Sequence, residues 1–417
     1  MRILELTEAT EKKLLAARVN HDAQALQIAQ RIVSDVKRRG DSALFSWTKR
    51  LDGFAVAPKT LWISEKEIRG AARRASPEFL RAIRQAVRNI RRVAERQLPK
   101  PWSLGVETGV RIRQLVRPIE SVGCYIPGGR SSLVSTLLMT AIPAQVAGVS
   151  RIVVVCPKPN DKVLAAADFL GLNEIARLGG AQAVAALAYG TRSVSRVEKI
   201  CGPGNKYVTA AKQLVSTDCA IDLPAGPTEA IVLADRGNPE WIAADLLAQA
   251  EHAPDAGSFL LTASRKFAAQ VSAEVDAQLR TLGPDNPAHR SIRQSGAILV
   301  APSLAAACEF VNRFAPEHLS LPNEGDSLLK RIRSAGTIFL GPWSAQPIGD
   351  YISGSNHVLP TAGWARRRGG LSSADFVKCI SVQEISRNGF ARLAAGAEIL
   401  ATAESLPAHY NAVRVRR

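Results

Sequence analysis

The chain has 417 residues, 46% hydrophobic and 22% charged, too long for one small core and of ordinary globular composition, so two or more domains are expected. A formal charge of +17 and a pI near 10.0 invite polyanion binding, yet the excess is spread widely and no stacked-aromatic motif, zinc finger or basic heptad accompanies it. The six cysteines (Cys124, Cys156, Cys201, Cys219, Cys308, Cys379) form no C-x-x-C pair, no apolar run approaches membrane-spanning length, and the acidic N-terminus is no signal peptide. A reduced, cytoplasmic protein with neither nucleic acid nor membrane as a partner is the expectation.

Sparse aromatics and plentiful alanine favour an α/β or helical build. Residues 1 to about 115 predict charged amphipathic helices, near Asp22 to Arg39, Glu65 to Arg74 and Ala82 to Leu98. In the last, Ile83, Val87, Ile90 and Ala94 recur at helical spacing, with Arg84, Arg88, Arg91 and Arg92 on other faces. His21 has no neighbouring ligand type and is assigned to the surface.

The pattern changes at Val116. A short strand enters the glycine loop Tyr125 to Gly129, followed by a long apolar helix from Leu133 to Val149. A buried strand follows at Arg151 to Cys156, then a helix at Asp161 to Leu170 and an apolar segment at Ala183 to Ala188. A second glycine loop, Gly202-Pro203-Gly204-Asn205, opens a helix from Tyr207 to Val215. Beyond Asp222 to Glu229 comes a second run of strands (Ala230 to Ala234, Ser258 to Thr262, Ala297 to Ala301, Thr337 to Leu340) and helices (Pro239 to Ala250, Arg265 to Leu282, Ser303 to Arg313). The chain beyond Ser372 again has a helical pattern. Such alternation implies βαβ units and parallel sheets, which place ligands at the carboxyl ends of their strands. Neither glycine loop is G-x-G-x-x-G, so dinucleotide binding and a plain tight turn both stay open.

Histidine is scarce, six in the chain, so its positions are informative. Gln249 and His252 stand three apart at a helix end, a spacing that suits a shared ion or a capping histidine equally. Glu317 and His318 are adjacent after a helix that Pro316 interrupts, an acid–base pair or two polar loop residues. Asp350 and His357 are read on an irregular loop, Ile348 to Thr361, as a ligand site or a polar turn. His289 looks merely exposed, and His409 follows Glu404 in the C-terminal helical segment.

Seven motifs in order join these positions: Tyr-Ile-Pro-Gly-Gly (125–129), Gly-Gly-Ala-Gln (179–182), Gly-Pro-Gly-Asn (202–205), Pro-Ala-Gly-Pro-Thr-Glu (224–229), Gln-Ala-Glu-His (249–252), Phe-Ala-Pro-Glu-His (314–318) and Gly-Asp-Tyr-Ile-Ser-Gly-Ser-Asn-His-Val-Leu-Pro-Thr (349–361). With the closing Ala-Glu-Ser-Leu-Pro-Ala-His-Tyr-Asn-Ala-Val (403–413), the sequence resembles the histidinol dehydrogenases over essentially its whole length.

The resemblance implies a zinc-dependent oxidation of L-histidinol to L-histidine through histidinaldehyde with two NAD, the last step of histidine biosynthesis. Matched by motif, one zinc per subunit would be held by Gln249, His252, Asp350 and His409, orienting the substrate more than activating it. His318 and Glu317 would be the catalytic pair. Ser135, Thr228, His357 and Glu404, together with His318 and the zinc ligands, would contact substrate; Tyr125, Gln182 and Asn205 would hold NAD.

The implied fold is α/β, with two parallel-sheet domains of incomplete Rossmann-like type, one inserted in the other. Residues 1–17 would form an N-terminal helical segment, and 18–124 with 227–371 the first α/β domain, carrying the metal and catalytic residues. Residues 125–226 would be the inserted NAD-binding domain, and 372–417 a C-terminal segment reaching the partner of a homodimer with shared active sites. The alternative is a same-fold NAD-dependent dehydrogenase for another small polar alcohol. Three departures bear on affinity for substrate: Thr228 where the family usually has serine, no acid in Pro342 to Pro347, and a basic run at Arg366-Arg367-Arg368.

Overall fold

The computed structural model describes residues 1–18, 22–128, 132–223, 226–323 and 325–417. His21, the Gly129 end of the first glycine loop, and Pro224-Ala225 lie outside the described residues. The architecture is α/β, as the alternating pattern implies. Six parallel strands form one sheet, in the order Ile3–Glu5, Ala297–Val300, Gly257–Thr262, Glu229–Leu233, His318–Leu321, Thr337–Leu340. Five more form a second, in the order Ile175–Ala176, Arg151–Val155, Ser121–Tyr125, Lys199–Cys201, Ala220–Ile221, also parallel throughout. The central strands Glu229–Leu233 and Ser121–Tyr125 are buried at every position, because helices cover both faces of each sheet.

The second sheet interrupts the first in sequence. Its central strand starts at Ser121, ahead of the expected border at 124/125. Helices Ala23–Arg39, Glu65–Arg74 and Pro77–Gln97, placed by sequence with the first domain, lie instead against helices of this second sheet. Their apolar stripes find its surface: Ile83, Val87 and Ile90 join Leu137, Ile142 and Val154 in one core. Arg84, Arg88 and Arg92 stay in solvent as the solvated basic face requires, while Arg91 is half-buried and donates to Gln145 Oε1 at 3.1 Å.

Three expected helical stretches are corrected. The N-terminal segment contributes the strand Ile3–Glu5, paired in parallel with Ala297–Val300. Residues 102–107 and 110–118 form an antiparallel hairpin, and Val377–Ile385, read as helical, is its third strand. Alternating β-branched residues there have no local advantage as a helix, and pairing across some 260 residues cannot be seen in a local window. Helices Arg387–Ala403 and Pro407–Arg414 close the chain. Among the described residues no helix is long and apolar enough to cross a membrane.

Candidate active site

Glu317 and His318 are not on a solvated loop. Helix Leu304–Phe314 ends at Ala315 in the left-handed region (φ 50°), Pro316 cannot continue it, and His318 starts the strand His318–Leu321 in register with Ala230 and Thr337. Both residues are buried. The Glu317 carboxylate accepts the Thr228 hydroxyl at 2.5 Å and the Glu229 N–H at 3.0 Å. Burial nevertheless pushes its pKa above the usual carboxylate range, against the pull of His318 and these two donors.

The His318 ring hangs between two carboxylates, with Nδ1 3.7 Å from Glu317 Oε2 and Nε2 3.5 Å from Asp350 Oδ1. Neither nitrogen completes a hydrogen bond. Phe339 stacks on the ring, centroids 5.9 Å apart at 20°. Burial opposes a charge on His318, but the two flanking carboxylates outweigh it and raise its pKa. The result is a ring whose protonated form is stabilised once it accepts a proton.

Asp350 sits in the short helix Gln346–Tyr351, correcting the expected loop. Pro347 suits the first turn, and Gly349 leaves room for the Phe339 ring, where a side chain would collide. Burial would raise the Asp350 pKa, but the contact with His318 and the charge of that ring win and lower it. His357 donates Nδ1–H to the Asp350 carbonyl at 2.9 Å, since a carbonyl only accepts, and its Nε2 faces the Thr136 hydroxyl at 3.3 Å. Burial holds His357 below the usual histidine pKa, so it stays neutral. Ser135 lies one position before Thr136, half-buried, in the first turn of helix Val134–Ala147.

Gln249 is fully buried near the end of helix Pro239–Ala250; its Nε2 donates to Thr228 Oγ1 at 2.9 Å and its Oε1 accepts from Gln346 Nε2 at 2.7 Å. His252, just past the helix end, points Nδ1 at the Ala248 carbonyl at 3.0 Å. The helix-capping role and a ligand role are therefore compatible, because capping by Nδ1–H leaves the Nε2 lone pair free. Gln249, His252 and Asp350 supply an amide oxygen, an imidazole and a carboxylate, a donor set that fits zinc. Among the described residues no three His, Cys, Asp or Glu side chains gather as a metal site. His409 and Glu404 are exposed on the C-terminal helices, and no hydrogen bond or ion pair among the described residues joins either to this cluster.

The carboxyl-end rule holds for one sheet and fails for the other. Glu229 and His318 begin their strands, and the helix bearing Gln249 has returned to that same amino edge before strand Gly257–Thr262. Thr136, by contrast, follows the carboxyl end of Ser121–Tyr125. The cluster lies between the amino edge of the six-stranded sheet and the carboxyl edge of the five-stranded one, bridged by His357.

Of the three expected NAD residues, Tyr125 ends strand Ser121–Tyr125 at that carboxyl edge, while Gln182 and Asn205 stand at helix starts there. Tyr125 Oη accepts the Gly180 N–H at 3.0 Å, and burial pushes this phenol up to about 12. Gln182 donates to Asp52 at 3.0 Å and keeps Oε1 buried without a partner. Asn205 Oδ1 caps its helix through the N–H groups of Tyr207 and Val208. The two glycine loops touch, since Gly202 leaves no room for a side chain against Tyr125, and the buried Lys212–Asp222 pair grips Gly202 from both sides. His289, expected to be exposed, is half-buried in helix Ala288–Gln294.

Sequence reasoning passed over Gln346, Thr136, Phe339 and the Arg18–Glu229 ion pair behind Glu317. Only Gln346, four residues before Asp350, carried a local signal, and it needed Asp350 to be read on a helix.

The family model described as histidinol dehydrogenase matches residues 15–417. A histidinol dehydrogenase of Halalkalibacterium halodurans is 47% identical over 392 residues, 92% of each chain. That of Methanothermobacter thermautotrophicus is 45% identical over 392 residues, again 92% of each. The crystal structure of histidinol dehydrogenase from Elizabethkingia anophelis superposes with a TM-score of 0.94 at 37% identity, covering 100% of this chain and 98% of that one.

Proposed function

The chain belongs to the histidinol dehydrogenase family, and from that premise we propose that it oxidises L-histidinol to L-histidine through histidinaldehyde, the last step of histidine biosynthesis. The observation that carries this reading is the buried Glu317–His318 pair, whose two members are held by different neighbours for different proton tasks. When bound, NAD accepts the hydride of each step, and zinc fixes the orientation of the substrate nitrogens. Gln249, His252 and Asp350 would hold the metal with His409 of a second subunit, and Tyr125, Gln182 and Asn205 would hold the dinucleotide.

His318 takes the hydroxyl proton as the carbinol C–H leaves as hydride, and the flanking Glu317 and Asp350 carboxylates stabilise the imidazolium formed. Glu317 then takes a proton from a water that adds to the aldehyde carbon; loss of a second hydride from the hydrate leaves the carboxylic acid. Donation from Thr228 and Glu229 keeps the Glu317 carboxylate aimed through both steps. His357, neutral and anchored on Asp350, offers a polar contact to the substrate imidazole, joined by Ser135, Thr228 and Glu404.

A homodimer with shared sites is part of the proposal. It is supported by large apolar side chains that the single chain leaves exposed: Trp102, Leu104 and Val106 along one hairpin strand, and Ile399 and Leu400 in the last turns before Glu404. Mixing inactive His409→Asn and inactive His318→Asn subunits is expected to restore partial activity; no recovery would count against sharing. The deciding assay is NADH formation from L-histidinol against a panel of amino alcohols. Two NADH per histidinol are expected; one would remove the four-electron reading, and preference for another alcohol would favour the alternative dehydrogenase.

A further inference from the structure

Six side chains close a ring of polar contacts: Glu317 to Thr228, Thr228 to Gln249, Gln249 to Gln346, Gln346 to Asp350, Asp350 to His318, and His318 back to Glu317. Five of them already have a role. Gln346 does not, although it is 5% exposed and carries the shortest contact to Gln249.

The direction of each hydrogen bond around this ring follows from one group. An ionised Glu317 only accepts, so the Thr228 hydroxyl must donate to it. The Thr228 oxygen is then the acceptor for Gln249, which must present Nε2 there. That fixes the other end of the Gln249 amide: Oε1 faces Gln346, and Gln346 must answer with N–H. The Gln346 amide has two such hydrogens. One goes to Gln249 Oε1 at 2.7 Å, and the second points toward Asp350 Oδ2 at 3.5 Å, at the limit of a hydrogen bond. Gln346 thus supplies a donor to two neighbouring oxygens, one on each of its partners.

We propose that Gln346 is a positioning residue for the metal: by donating to Gln249 Oε1 while facing the Asp350 carboxylate, it holds both oxygen donors in the orientation that receives the cation. This rests on the metal reading given above. Gln346 acts through Gln249 and Asp350, the two side chains it contacts. Its place in the first turn of the short helix Gln346–Tyr351, one turn from Asp350, makes the two a rigid unit. Outer partners of this kind typically govern metal affinity by roughly 10- to 100-fold.

The test uses the intact protein and the metal alone. Gln346→Met keeps the volume and removes both donors; exposed Ile348→Ala on the same helix is the control. Zinc affinity is read by competition with a chromophoric chelator, and the ligand field by the visible spectrum of the cobalt(II)-loaded protein. Gln346→Met is expected to bind zinc about tenfold more weakly or worse, with an altered cobalt spectrum, while Ile348→Ala matches the parent. If Gln346→Met does not fold, Gln346→Asn, which keeps the amide but falls one methylene short, is expected to show the same loss. Parent-like affinity and spectrum in the folded variant would overturn the role of Gln346 alone. A parent protein that takes up no zinc would instead overturn the metal reading, and this proposal with it.

Discussion

Thr228→Val changes one hydroxyl to a methyl of nearly the same shape and cuts the link between Glu317 and Gln249. The lost bond is short, 2.5 Å, and goes to a buried carboxylate, a class worth about 1.5–3 kcal/mol. The Gln249 N–H, bonded at 2.9 Å, is left buried without an acceptor, which adds about 1–3 kcal/mol. Destabilisation on the order of 3 kcal/mol is therefore expected in urea unfolding at neutral pH. Glu317 would keep one donor, the Glu229 N–H, so its already raised pKa moves up further. The proposed aldehyde step uses ionised Glu317, so the acid limb of its pH–rate profile should move to higher pH. Thr228→Ser restores the hydroxyl and should restore both. A Val variant within about 0.5 kcal/mol of the parent, with an unmoved limb, would refute the reasoning.

Four other outcomes are expected. His318→Gln should lower turnover by about two to four orders of magnitude with zinc content unchanged, measured by steady-state kinetics and metal analysis; near-normal turnover removes His318 as the base. Chelation should abolish activity and added zinc restore it, whereas full activity in metal-free protein would sink the zinc assignment. Arg18→Met strips the buried Glu229 of its guanidinium and should cost about 3–5 kcal/mol in unfolding, with Arg18→Met/Glu229→Gln recovering most of it; a single-variant loss under about 1 kcal/mol contradicts this. Burial pushes Asp245 from 3.8 to about 6, so the stability tied to its protonated form is full below its ordinary value and lost as pH rises through about 6. Asp245→Asn should then gain on the parent as pH rises, by up to about 3 kcal/mol, in unfolding measured across that window.

Legibility in the sequence followed the range of the interaction. Helix Glu65–Arg74 and strand Thr337–Leu340 have the limits expected from local pattern, because a capping box at Ser64 and Glu67 and a short apolar run declare themselves within a few residues. Strand Val377–Ile385 did not, since its stability comes from pairing with Val110–Pro118 far away in sequence. Asp350 was misplaced for a related reason. The glycines around it suggested a loop, but Gly349 is there to pass the Phe339 ring, and the helix stands on contacts with Gln249 and His318.

The sequence alone determined the α/β class and the family, and it singled out Thr228, Gln249, Glu317, His318, Asp350 and His357, because those depend on residue type and motif order. Tertiary structure decided how they face one another. It set Glu317 and His318 at the amino edge of one sheet against the carboxyl edge of the other, a consequence of helices returning between parallel strands. It also gave the ring of contacts its direction and brought in Gln346, whose place depends on the buried Gln249 amide having one donor end and one acceptor end, each of which needs a partner.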